Sequence, residues 1–451
     1  MPDFRPVMLW SDALFFALIL VSAGGIWWAR TQDHLRSAWQ RVASSRVGMA
    51  SATVLAVFLL VAVLDSLHYR PRLPGAHDKY AVEVLSAFDA LLMPLKANTE
   101  KTYSAPLATH SFAKETLEGA DGAALGRDFP RLRYGGAHLE DETNRRDADV
   151  AWTALRGAGL GLAAWALLLL AARPLRRRHP GVAWDAALAT LLVVFLLAGP
   201  TVLLAQGYHV FGTDKVGQDV LYLALKSIRT GILIGTLTTL IMLPAAVLLG
   251  ILAGYVGGWV DDAIQYLYTT LNSIPGVLLI AAAVLMMQVI IDTHPEWFAT
   301  SAERADARLL ALCAILGVTS WTGLCRLLRG ETLKLREMEY VQAAQAFGVS
   351  RLSIMLRHIL PNVMHIVMIA LVMDFSGLVL AEAVLSYVGI GVDPNTISFG
   401  TMINAARLEL AREPMVWWSL AAAFCFMFVL VLAANLFADV VRDAFDPRGA
   451  R

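Results

Sequence analysis

Charge is scarce in this 451-residue chain: only 16% of residues are Asp, Glu, Lys or Arg, with 37 basic against 37 acidic. A formal net charge of zero provides no field for a polyanion, so nucleic acid is not an expected partner. Cysteine is scarcer still. Cys313, Cys325 and Cys425 each lie inside an apolar run, without metal-ligand spacing, which excludes a disulfide framework and a zinc knuckle. A phosphate-binding loop of the form G-x-x-x-x-G-K-[ST] is also missing. The stretch GTDKVG (212–217) is Gly-rich but lacks the Lys-Ser/Thr ending. The chain is therefore not expected to be an enzyme, to hydrolyse ATP or to hold a cofactor or metal of its own.

What is present is apolar. Hydrophobic residues make up 57% of the sequence and the mean hydropathy is +0.58, values typical of a membrane protein. A bilayer core needs about 20 apolar residues per helix. Nine runs qualify: 9–29, 47–67, 152–172, 183–206, 229–255, 263–291, 306–327, 362–390 and 416–440. Arg5 alone precedes the first run and no A-x-A site follows it, so it reads as a retained helix rather than a cleaved signal. Four basic groups test the topology. They are Arg30, Arg36, Arg41 and Arg46; Arg173, Arg176, Arg177 and Arg178; Arg326, Arg329, Lys334, Arg336, Arg351 and Arg357; and Arg442, Arg448 and Arg451. All four fall on the cytoplasmic side if the N-terminus is outside and the C-terminus inside.

That topology places residues 69–151 outside. Residues 81–95 space Val84, Leu85, Phe88, Leu91, Leu92 and Leu95 like an amphipathic helix, and Gly119 to Asp149 reads as loop. His110 and His138 lack paired metal spacing and read as solvated loop histidines. Within the spans, Asp374 and Glu382 are the main ionisable residues and hence the candidate pathway groups. Pro244 and Pro275 are candidate kinks. Met286, Met287, Met364, Met368 and Met373 line a pathway or, more simply, pack in lipid or core. The cluster RPLRRRHP (173–180) reads foremost as a topology anchor, with an ATPase or anionic lipid as alternatives.

The most specific segment is EYVQAAQAFGVSRLSIMLRHILPN, residues 339–362. Adjacent Ala343 and Ala344 let a helix backbone approach a partner closely. Gly348 suits a left-handed helix stop, and Pro361 suits the start of the next helix. The segment resembles the EAA loop of ATP-binding-cassette importer permeases. Three further stretches resemble the C-type permease subunit of the dipeptide, oligopeptide and nickel family. These are HVFGTDKVGQDVL (209–221), with Gly212, Thr213, Asp214, Gly217 and Asp219; GYVGGWVDD (254–262); and AEAVLSYVGIGVDPNTISFG (381–400). The tail at Arg442-Asp443 and Asp446-Pro447-Arg448 is similar as well.

The resemblance implies an all-α polytopic membrane protein of about nine transmembrane helices, six of them the type I ABC importer permease core. In that reading 1–42 is an extra N-terminal helix and cytoplasmic loop, and 43–68 is the first core helix. Residues 69–151 form an external insert, 152–206 an extra hairpin, and 207–451 the rest of the core, with a coupling loop at 333–361. It also implies two cytoplasmic ATPases carrying ATP and Mg, a second homologous permease, a solute-binding protein and a home in the bacterial inner membrane. The ATPase-coupling residues would be Glu339, Gln342, Ala343, Ala344, Gly348, Arg351, His358 and Pro361. Gln342 stands where the family often has Glu, and His358 where it has Ile. Gln keeps hydrogen-bonding capacity but loses the charge, which implies retuned coupling. Two rivals remain: a proton-coupled secondary transporter using Asp374 and Glu382, and a membrane enzyme with its site in the insert.

Overall fold

The structure, a computed structural model, describes all residues except 1–3, 30, 32, 73–79, 119–123, 140–141, 299 and 446–451. Arg30, Arg448, Arg451 and the 446–448 tail motif therefore lie outside the described residues. In chain order the helices are α1 (Trp10–Ala29), α2 (Asp33–Ser44), α3 (Arg46–Asp65), α4 (Ala87–Leu91), α5 (Met93–Ala97), α6 (Glu142–Arg178), α7 (Trp184–Leu204) and α8 (Val220–Val256). There follow α9 (Gly258–Ser273), α10 (Gly276–Thr293), α11 (Ser301–Arg336), α12 (Glu339–Ala346), α13 (Arg351–Ile354), α14 (Leu360–Val388), α15 (Phe399–Glu409) and α16 (Trp418–Phe445). The described residues also form a 3-10 turn at Pro295–Trp297, a π-helical turn at Met355–Ile359 and five short strands: β1 (Phe4–Val7), β2 (His68–Pro71), β3 (Leu85–Ser86), β4 (Glu115–Glu118) and β5 (Ala124–Asp128).

Nine helices among the described residues are long and apolar enough to cross a bilayer. The count equals that of the apolar runs, but one run is not a single helix. The 263–291 stretch breaks at Ile274 and Pro275 into α9 and α10, and only α10 qualifies as a span. Proline supplies no N–H to a helix interior and pushes the preceding residue into extended backbone, here Ile274 at φ −89° and ψ 131°.

The chain forms two compact units. One comprises residues 1–8, 40–230 and 397–433. In it β1, β2 and β3 form an antiparallel sheet, with Phe4 opposite Pro71 and His68 opposite Ser86. β4 and β5 form a separate hairpin. Helix α7 packs on both α3 and α6. The α6–α7 contact is so close that a Cβ on Gly199 would lie 2.2 Å from the Gly157 carbonyl oxygen. The unit's core joins Leu95 and Tyr103 of the insert to Val220–Ala224 of α8 and to Met402, Val416 and Trp418.

Two expectations for the insert fail. Residues 81–95 are not one helix: Ser86 caps α4 in a reciprocal capping box with Asp89, and Pro94 starts α5 afresh. Local capping overrides the apolar periodicity there. Nor is 119–149 all loop, because β5 lies within it and α6 begins at Glu142.

The second unit comprises residues 9–39, 231–396 and 434–451. Its core gathers Met242, Ile251, Tyr255, Trp321, Leu328, Val341, Ile354, Ile359 and Val363. Helix α1 packs on α11, where the Ser11 amide donates to Asp306 at 3.1 Å and Phe15 is buried. Thr300 caps α11 by accepting from the Glu303 amide, and Gly389 closes α14 in the left-handed region.

Candidate functional site

The expected coupling segment folds as a compact hairpin of α12, a turn and α13 in the second unit. Gly348, at φ +75°, ends α12: the Gly348 amide donates to Gln345 O and the Val349 amide to Ala344 O. Ser350 then caps α13 by accepting from the Ser353 amide. The inward face is Val341, Ala344, Ile354 and Ile359, all buried against α8 and α11. The two alanines thus differ. Ala343 is exposed, whereas Ala344 is buried in the chain's own core.

Pro361 lies in the first turn of α14, as expected of a residue that starts a membrane helix, although α13 leads into that turn without a break through a π-helical turn, Met355–Ile359. The Leu360 amide reaches back to Met355 O, and the widened turn accommodates a residue that has no N–H of its own to donate.

The polar residues line a cleft of about 480 Å³ bounded by Tyr255, Val256, Arg336, Glu337, Gln342 and Gln345, together with Val349 and Arg351. Gln345 Nε2 donates to Tyr255 Oη and Gln342 Nε2 to the Glu337 carbonyl, each at 3.3 Å. Glu339 and Arg351 are exposed, and His358 is half-buried near the Tyr340 ring. The sequence reading missed two residues here: Phe347 is 88% exposed and Leu352 62%. Both stand bare at the tip of the hairpin, on the side away from the core. The signal was their place on the outward side of the Val341, Ala344 and Ile354 stripe. Also missed was the brace beneath. Arg329 clasps Asp261 of the 254–262 motif through both guanidinium nitrogens, at 2.5 and 2.7 Å. That bond holds the Asp261 carboxyl below its usual range.

The 209–221 motif lies in the first unit, with His209, Gly212, Thr213, Gly217 and Asp219–Leu221 buried and Lys215, Val216 and Gln218 exposed at the turn. Gly217 has φ +77°, and a Cβ there would sit 1.8 Å from the Glu100 carbonyl oxygen. Thr213 Oγ1 accepts from the Ser104 amide and donates to Thr102 O, while Trp418 Nε1 donates to Thr213 O. Asp219 caps α8, accepting from the Leu221 and Tyr222 amides. Asp214 does not cap a helix: it accepts from the Val216 and Gln218 amides and so closes a turn.

His209 bridges Asp219 Oδ2 at 2.8 Å and Glu100 Oε1 at 3.4 Å. Burial alone would lower the imidazole's pKa, but the two carboxylates outweigh it and raise it to about 9. Burial likewise works against the Glu100 charge. Hydrogen bonds from His209 and from the Arg133, Tyr134 and Gly135 amides prevail and bring it down to about 2. Glu100 belongs to the insert, and nothing in its local sequence marks it as the partner of a residue 109 positions away.

The candidate pathway acids are not brought together. Asp374 is half-buried on α14, and Glu382, two turns later, is fully buried and accepts from Ser386 Oγ at 2.6 Å. His138 Nε2 pairs with Asp149 at 3.0 Å, and His110 Nδ1 lies 3.1 Å from Thr109 Oγ1.

Residues 246–451 match the family described as binding-protein-dependent transport system inner membrane component. The chain is 32% identical over 239 residues to the oligopeptide transport system permease protein OppC of Mycobacterium tuberculosis, covering 53% of this chain and 76% of that one. It is 30% identical over 242 residues to the dipeptide transport system permease protein DppC of Lactococcus lactis, covering 54% and 64%. A glutathione transport system permease protein of Pectobacterium atrosepticum is 31% identical over 242 residues, covering 53% and 73%. With nine bilayer-length helices, the family's motifs in order and this degree of identity, the chain belongs to the dipeptide and oligopeptide family of ATP-binding-cassette importer permeases.

Proposed function

We propose that this permease carries di- or oligopeptides, or related small solutes, across the bacterial inner membrane, with its N-terminus outside and C-terminus inside. Separate ATPases binding ATP and Mg drive it through residues 333–361. The observation that carries the reading is the α12–α13 hairpin: buried on its inner face, it presents Phe347, Leu352 and Ala343 outward beside a polar cleft. A partner that moves on ATP binding would grip those apolar residues, while the packed inner face passes the displacement into α8, α11 and α14. Its complete assembly holds two ATPases, a second homologous permease and a solute-binding protein. Peptides are the favoured cargo because the relatives are named for oligopeptide, dipeptide and glutathione transport.

The partners test the reading. The tagged chain, purified in mild detergent, is expected to bring down two ATPases and a second permease identifiable by mass spectrometry. Recovery of the chain alone, active in proteoliposomes under a proton gradient, would replace this reading with a secondary transporter using Asp374 and Glu382.

A further inference from the structure

The extra hairpin α6–α7 presents two unlike surfaces. Few residues of either helix are buried, and Leu167, Leu170 and Val193 are among the large apolar side chains left bare, as befits helices facing lipid. At one end of the hairpin the character changes abruptly. The last turns of α6 carry Arg173, Arg176, Arg177 and Arg178, and the turn into α7 adds exposed His179.

This turn does not stand alone. The Ala183 amide donates to Ala43 O at 2.9 Å, joining it to the end of α2 and the first turn of α3. That bond brings exposed Arg41 and Arg46 to the same end of the helix group. Two segments some 130 positions apart in the sequence thus converge their arginines. Asp185, in the first turn of α7, is engaged by Arg176 at 2.7 Å. Trp184, its indole N–H bound to His179 O at 3.0 Å, sits where an interfacial aromatic belongs.

We infer that this end of the α3–α6–α7 group is a binding site for the phosphodiester headgroup of an anionic glycerophospholipid. The headgroup lies on Arg173, Arg177 and Arg178 with Arg41 and Arg46 opposite, and the acyl chains run along the bare Leu167, Leu170 and Val193 faces. A topology signal alone needs only charge count within one loop. Convergence of two distant segments, with guanidinium forks rather than lysines, is what phosphate recognition needs. The inference rests on the chain's being a membrane protein and is independent of cargo and coupling.

The test uses the full-length chain, with any co-purifying partners, in phosphatidylcholine nanodiscs doped with spin-labelled phosphatidylglycerol. The wild type is expected to hold phosphatidylglycerol in preference to spin-labelled phosphatidylcholine. Replacing Arg173, Arg177 and Arg178 together by Gln should lower that preference ~10-fold. Replacing the same three by Lys keeps the charge that orients the hairpin and should lower it only ~2- to 3-fold, through loss of the bidentate fork. Three results would overturn the site. One is a wild type with no preference. Another is full displacement by inorganic phosphate, which would assign a free-anion site. The third is a Gln variant that keeps the lipid preference but loses a co-purifying ATPase, which would assign a protein contact.

Discussion

The two family motifs that best mark this chain are built in opposite ways. The 209–221 segment is locked by its polar residues: His209, Thr213 and Asp219 are all at most 3% exposed and each is held by several hydrogen bonds, while only the turn at Lys215, Val216 and Gln218 is bare. The 339–361 hairpin is sealed on one side only, with Val341 and Ile354 fully buried while Phe347 stands almost free. Both use a glycine with positive φ, Gly217 at +77° and Gly348 at +75°. Identical backbone chemistry therefore serves a closed structural knot in one place and an exposed turn in the other. What distinguishes them is the space around the glycine.

The largest predicted effect exploits that difference. Gly217→Ala places a methyl 1.8 Å from the Glu100 carbonyl, so the insert backbone must move and the left-handed strain comes in addition. Destabilisation of ~3–5 kcal/mol is expected. Gly348→Ala meets nothing within 4 Å and bears only the strain, about 1 kcal/mol. Thermal unfolding in detergent, followed by tryptophan fluorescence, measures both. Equal losses for the two variants would remove the distinction drawn here.

A second test concerns the charge that locks the closed motif. His209 is raised to about 9, so its stabilisation is complete below its ordinary 6.5 and is lost as pH rises through 9. Glu100 is lowered to about 2, so its contribution is present above 4.5 and is lost as pH falls toward 2. The unit should be most stable between about pH 4.5 and 6.5 and should weaken toward pH 9. Glu100→Gln leaves His209 with Asp219 alone. It should cost on the order of 1–3 kcal/mol near neutrality and bring the alkaline decline to lower pH. A wild-type stability that is flat from pH 6 to 9 and matched by the variant would show the histidine to be uncharged (the pH range being set by the shift above).

The sequence carried the architecture well because its strongest signals are local. Apolar runs of bilayer length and the Gly348 stop each follow from a few neighbouring residues. The failures were of two kinds. At Ile274-Pro275 and at Ser86 to Pro94, a proline or a cap cut a hydrophobic pattern whose periodicity suggested continuity. At Glu100, Ala344 and Arg329, the meaning lies in a partner far along the chain: His209, the α8–α11 core and Asp261 respectively. No window of residues contains both halves of such a pair. The Ala343-Ala344 dipeptide is instructive because its two members look equivalent in sequence. Helical phase points one into the core and the other away from it.

That phase supports the finest comparison, one in which stability barely moves while coupling does. Ala344→Leu adds three carbons to a filled core and should cost ~1–3 kcal/mol. Ala343→Leu and Phe347→Ser act on exposed positions, so each should change stability by less than ~0.5 kcal/mol. Within the proposed assembly the exposed pair should nevertheless matter most. Phe347→Ser removes a large apolar contact, and a contact of that kind at the centre of an interface is worth ~2 kcal/mol or more, roughly a 30-fold loss of affinity for the ATPase. Solute-stimulated ATP hydrolysis in proteoliposomes should fall accordingly, while membrane insertion and thermal unfolding stay as in the wild type. If Phe347→Ser and Ala343→Leu both leave stimulated hydrolysis unchanged, the open side of the hairpin is not where force enters. The polar cleft beneath Gln342 and Gln345 would then be the place to look.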